Sequence, residues 1–105
     1  MSEDFGIRLA KFVAISQAIT DKWYDDSGYT QGKPTLVIHD GSRYVKVVRQ
    51  ENGIDGSVHC FVDKTNGNVL KAASWKAPAK HPRGNIFDED NGAGAMSQWG
   101  AKYLR

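Results

Sequence analysis

Between residues 3 and 24, Phe5, Leu9, Phe12, Ser16, Ile19 and Trp23 recur at alternating spacings of four and three. That repeat places side chains on one face of an α-helix. Val13 and Ile15 widen the stripe. Ser2 suits the N-cap, and Glu3 and Asp4 suit the positive end of the helix dipole. Gly6 weakens the first turn, so residues 7 to 23 form the firmest part. The stretch "DDSGYTQGKP" (25 to 34) ends the helix with turn-forming residues.

The period then changes to two. "TLVIH" (35 to 39) is β-branched and apolar, and the Asp-Gly pair at 40 and 41 signals a two-residue hairpin. In "SRYVKVVRQ" (42 to 50), Val45 and Val47 share one face with Arg43 and Arg49, while Tyr44, Lys46 and Val48 share the other. "ENGIDG" (51 to 56) reads as a loop. "SVHCFV" (57 to 62) alternates Val58, Cys60 and Val62 against His59 and Phe61. "DKTNGN" is a tight turn before "VLKAA" (69 to 73). These strands predict a four-stranded antiparallel meander with one face to bury, and the helix offers the matching stripe. The expected architecture is α+β in a single domain spanning residues 1–105. An ordered long loop (74 to 94) follows the sheet, then a short C-terminal helix (95 to 104) with Met96, Trp99 and Tyr103 on one face. A meander also leaves two edges, so a homodimer is among the expected states.

Composition narrows the picture only a little. With 105 residues, 40% of them hydrophobic and 25% charged, the chain has the make-up of a globular domain. A formal net charge of +2 is too small to argue for nucleic acid unless the cations cluster. The one cysteine, Cys60, excludes an internal disulfide and fits a reducing, cytoplasmic setting. Arg8 and Lys11 interrupt the apolar N-terminal run, which excludes a secretory signal, and no membrane association is expected.

The cations do cluster. "KAASWKAPAKHPRGNIF" (71 to 87) holds three lysines, an arginine and a histidine with no carboxylate. Lys71, Lys76, Lys80 and Arg83 are charged at neutral pH, and His81 joins them below its ordinary pKa. Ser74 and Asn85 add hydrogen-bonding groups, and Gly84 allows close backbone approach. Pro78 and Pro82 stiffen the segment, and Trp75 offers a flat stacking face. Cations around one aromatic platform are what a nucleotide or a single-stranded nucleic acid requires. The competing reading is structural, with Trp75 in the core and Arg83 paired with Asp88 or Asp90. Tyr44, Lys46 and His59 would extend the basic loop into a groove if they shared the sheet's open face. An ordinary solvated face is the preferred reading there.

From "SVHCFVDKTNGNVLKAASWKAPAKHPRGNIFD" to "WGAKYLR" the chain resembles a family of small proteins encoded by tailed bacteriophages. The residues that carry the resemblance are Phe61, Val62, Asp63, Asn66, Gly67, Lys71, Ala73, Ser74, Trp75, Pro78, Ala79, Lys80, Arg83, Gly84 and Asn85. It implies a viral protein acting in the host cytoplasm during infection, and it implies no activity.

Other constellations carry less. In "FDEDNG" (87 to 92) the glycine falls one position early for a calcium loop, and Trp99 stands where the bidentate glutamate belongs. His39, His59, His81 and Cys60 have no metal-ligand spacing, and Cys60 lies between Val58 and Val62 as a small hydrophobe. No catalytic motif occurs, and a hydrolase built on His81 and Asp88 is the weakest alternative. No cofactor is expected. The expectation is an accessory protein that binds a nucleotide or nucleic acid. The alternative is an interaction protein that blocks a host defence or transcription factor through Trp75, Trp99 and Tyr103.

Overall fold

A computed structural model describes residues 2–28, 33–97, 100 and 101, with side chains from residue 5 onward. Helix α1 (Ser2–Asp26) runs three residues beyond Trp23, the last member of its apolar stripe. Ser2 is itself helical, and its role as a cap lies outside the described side chains. Leu9, Phe12, Ser16 and Thr20 are buried, and Phe5, Val13 and Ile19 pack beside them. The buried stripe thus steps from Ser16 to Thr20 by one turn, a polar position that a hydrophobic count passes over. Among the described residues no helix is long and apolar enough to cross a membrane.

Five strands follow: β1 (Thr35–Asp40), β2 (Tyr44–Glu51), β3 (Ile54–Asp63), β4 (Asn68–Ala72) and β5 (Pro78–Asn85). They form one antiparallel sheet in chain order. The α+β class and the meander hold, with five strands in place of the expected four. At the β1–β2 connection three residues, Gly41 to Arg43, separate the strands, and the Gly41 amide donates to the Tyr44 carbonyl at 3.0 Å. The tightest hairpin lies instead between β2 and β3. Asn52 and Gly53 both have positive φ, 56° and 77°, as a two-residue turn of mirror-image type requires.

The fifth strand corrects the reading of residues 74 to 94 as one long loop. Only Ala73 to Ala77 loop out between β4 and β5, held by amides of Ala73 and Ser74 on the Ala77 carbonyl and by the Ser74 hydroxyl accepting from Lys76 and Ala77. Residues 78 to 85 pair with β4: Pro82 stands opposite Leu70 and Pro78 opposite Ala72. Prolines cannot donate to a ladder, which is why they suggested a loop; at the outer edge of a sheet that donor is dispensable. Between Leu70/Pro82 and Ala72/Pro78, β4 advances two residues while β5 advances four, so β5 is bulged around Lys80 and His81. A further shift at Val69/Leu70 leaves Arg83 as an extra residue. Prolines, bulges and exposed cations together blunt an edge strand against pairing with another chain.

One face of the sheet carries Leu36, Val45, Val47, Cys60, Val62 and Val69, which join Leu9 and Phe12 of α1 and Ile86 in the core. The same layer receives a 3-10 turn (Ala93–Ala95) and a two-stranded ladder, β6 (Met96–Ser97) with β7 (Gly100–Ala101). These replace the expected C-terminal helix. Glycine at 100 has φ 124°, and a Cβ there would stand 2.4 Å from the His59 carbonyl oxygen, so β7 lies tight against β3. Trp99 and Tyr103, expected on that helix, lie outside the described residues. Arg8 fastens α1 to the acidic run, donating to the carbonyls of Phe87 (2.8 Å) and Asp88 (2.9 Å), while Asn91 donates to the Arg8 carbonyl at 2.8 Å.

The other face is not a solvated one. Val48, Phe61 and Leu70 are all buried, and strand alternation puts them opposite the core row. Phe61 pairs with Lys46 on one side and Leu70 on the other. This second apolar patch is what the 73–77 turn leans over.

Candidate functional site

The turn between β4 and β5 brings Trp75 over β1 and β2. Its indole meets the His39 ring edge to face at 6.3 Å, and the Lys46 ammonium lies 4.1 Å from its centroid. Beside this contact opens a cleft of about 410 Å3, floored by Tyr44 and Phe61 and rimmed by His39, Arg43, Lys46 and Lys76. The two floor rings sit edge to face at 6.0 Å, and the Arg43 guanidinium stands 5.1 Å from the Tyr44 ring. Three cations from three places in the chain therefore converge: Arg43 from the β1–β2 connection, Lys46 from β2 and Lys76 from the β4–β5 turn.

The carboxylates near them are engaged. Asp40, at the cleft rim, holds Lys64 at 2.9 Å. Asp63 is buried, which by itself would raise its pKa, yet hydrogen bonds from Thr65 and the Arg43 guanidinium at 3.3 Å hold it below the ordinary carboxylate range. His39 faces Asp55 at 3.4 Å. Among the described residues no ion pair holds Lys46, Lys76 or Lys80. The cleft keeps a positive balance that the molecule's own acids do not cancel.

The structure divides the residues expected from sequence. Ser74, Trp75 and Lys76 belong to the turn at the cleft. Lys71 alternates onto the Val69 side of β4, facing away from it. Lys80 and His81 lie exposed on the bulged edge, and Arg83 donates to the His81 carbonyl. Gly84 is a packing glycine: a Cβ there would stand 2.9 Å from that of Ala95. Asn85 is a strut, donating to the Asn66 carbonyl and the Asn68 side chain at 2.9 Å and accepting from the Phe87 amide at 2.8 Å.

His59 does not join the groove. The register passes from Val47/Cys60 to Val48/Val58, leaving His59 as an extra residue of β3. Such a bulge turns its two residues to the same side, and His59 is 2% exposed with both ring nitrogens unpartnered. Burial, and after it the charge of Arg49, pushes its pKa down to about 4. Cys60 is wholly buried, which raises its thiol pKa and leaves it inert as a nucleophile.

Sequence reading did not select Arg43, His39 or Phe61. The available signal was the hairpin: once β1 and β2 pair, His39 stands opposite Lys46, and Arg43 falls in the adjoining connection. In "FDEDNG", the Asp90 oxygens accept from the amides of Gly92 (2.9 Å) and Gly94 (2.8 Å), which lowers its pKa and makes it a turn residue.

No curated protein and no solved structure matches the chain. A family model described as "Family of unknown function (DUF7717)" matches residues 9–104. The match runs from Leu9 of α1 through the whole sheet, and the chain belongs to that family.

Proposed function

We propose that this protein binds a phosphate-bearing anion, a nucleotide or a nucleic acid, in the cleft between β2 and the β4–β5 turn. The observation that carries the reading is the convergence of Arg43, Lys46 and Lys76 on one recess with an aromatic floor. Arginine offers a fork for phosphate oxygens and the lysines offer point charges. The aromatic walls lower the local dielectric and strengthen those contacts. The reading moves the binding surface from residues 71 to 85 towards β2, keeping Ser74, Trp75 and Lys76 from the original set. Lys80, His81 and Arg83 become guards of the sheet edge.

The resemblance to small tailed-phage proteins supports placing this activity in the host cytoplasm during infection. It also keeps a second role in view, blockade of a host protein through the same surface. Trp75 is 40% exposed beside Lys76, and an exposed tryptophan ringed by cations suits an acidic protein partner.

Calorimetric titration with pyrophosphate, nucleoside triphosphates and a short oligonucleotide tests the binding reading. Affinity should fall as salt rises. A Lys46→Ala/Lys76→Ala variant should lose most of it. Unchanged affinity in that variant overturns the assignment. A host protein captured stoichiometrically after nuclease treatment, with no binding of any phosphate probe, favours the second role.

A further inference from the structure

We infer that the ligand presents an unpaired base, and that this base stacks on the face of Trp75 turned away from Lys46. The inference rests on the cleft reading above and adds the class of ligand to it. One face of the indole is taken: the Lys46 ammonium sits 4.1 Å from the ring centroid, and the His39 ring meets the indole perpendicularly. A base cannot stack where the ammonium lies. Trp75 also walls a separate groove of about 350 Å3, lined with it by Gly56, Ser57, Val58, Ala72, Ala73 and Ser74 and by none of the cations of the cleft.

That groove has a definite origin. The β3–β4 ladder holds only the pairs Phe61/Leu70 and Val62/Val69. Beyond Phe61, β3 continues through two bulges towards Ile54 while β4 turns away into Ala73. The strands part, and the gap is the groove. Its lining contains no charged side chain, in contrast with the cationic cleft on the Lys46 side. The turn reaches both: Ser74 and Trp75 line the neutral groove, and Lys76 lines the charged cleft.

A molecule that satisfies both halves carries phosphate at one end and a flat, uncharged ring at the other, joined by a linker able to pass round the edge of an indole. A nucleotide has that form. Bases already stacked and paired in a duplex cannot reach the far face of Trp75, whereas a mononucleotide or a single strand can.

The experiment compares pyrophosphate, a nucleoside triphosphate, a single-stranded oligonucleotide and the same oligonucleotide annealed to its complement, titrated into the intact protein. Base stacking should make the triphosphate bind on the order of tenfold more tightly than pyrophosphate. The duplex should bind more weakly than the single strand. Trp75→Leu should remove the base advantage, and Trp75→Phe should keep most of it. Ser57→Leu, an exposed change inside the groove, should remove the advantage while leaving pyrophosphate affinity within about twofold. If pyrophosphate binds and the base adds nothing, or if the duplex binds as well as the single strand, this inference is overturned and the cleft reading stands. If neither pyrophosphate nor any nucleotide binds, both fall together.

Discussion

The ammonium of Lys46 lies 4.1 Å from the centre of the Trp75 ring, although 29 positions separate the two residues in the chain. A strand residue and a turn residue meet because the β4–β5 connection folds back over the sheet. The contact commits one face of the tryptophan to a cation and fixes that cation beside Arg43 and Lys76.

Removing the cation should show in the salt dependence before it shows in stability. A cation–π pair at a partly exposed site contributes about 0.5–1 kcal/mol. Lys46→Met is therefore expected to unfold only slightly earlier in denaturant. Its plot of log affinity for a phosphate probe against log salt should flatten by about one unit of slope. An unaltered slope would mean that Lys46 does not meet phosphate.

Gly84 separates a packing role from a ligand role. With a Cβ only 2.9 Å from that of Ala95, Gly84→Ala should cost about 1–3 kcal/mol through overpacking. Adding Ala95→Gly should restore part of that loss, a coupling that a double-mutant cycle reads directly. Were Gly84 a ligand contact instead, the second change would rescue nothing.

His59 predicts acid sensitivity well above the carboxylate range. Its ring, pushed from 6.5 down to about 4 by burial and by Arg49, refuses in the folded chain a proton that the unfolded chain accepts. Stability is thus fully present above pH 6.5 and is lost as pH falls through 6.5 towards 4. The total loss is roughly 3 kcal/mol, from about 1.4 kcal/mol per pH unit. Denaturant titrations of the wild type and of His59→Leu across that window check it. The variant should show a flatter profile, and equal slopes would contradict the buried, unpartnered state of the ring.

The two prolines of β5 predict behaviour at the sheet edge. Replacing both, Pro78→Thr with Pro82→Thr, returns two amide donors to a strand that is otherwise bulged and basic. Sedimentation at rising protein concentration should show more self-association than in the unmodified chain. No change would indicate that the bulges and the cations at Lys80 and Arg83 suffice to protect this edge.

Much of the scaffold was legible in the order of residues, and the candidate site was legible only in part. Periodicity is local: the four-and-three spacing from Phe5 to Trp23 and the alternation around Val45, Val47, Cys60 and Val62 state which residues share a face. Each of those rows is buried as its period requires, Phe5, Ile19 and Trp23 partly so. Trp75 and Lys76 stood out for a similar reason, since the composition of one short segment marks them. The meaning of Pro78 and Pro82 was not local. A proline reads as a break until its strand is known to lie at an edge, and that depends on which strands stand beside it.

The same limit explains His59, Arg43 and the second apolar face. A bulge is a difference in count between two strands, so neither strand alone reveals that His59 turns inward. The cleft exists because a connection, a strand and a distant turn meet at one place, and convergence of that kind is a property of packing. Sequence by itself determined the helix, the alternating rows and the basic, aromatic turn, because each follows from neighbouring residues. Tertiary structure alone decided which cations share a recess, which cation covers Trp75 and which histidine is denied a proton, because those outcomes depend on distances between residues far apart in the chain.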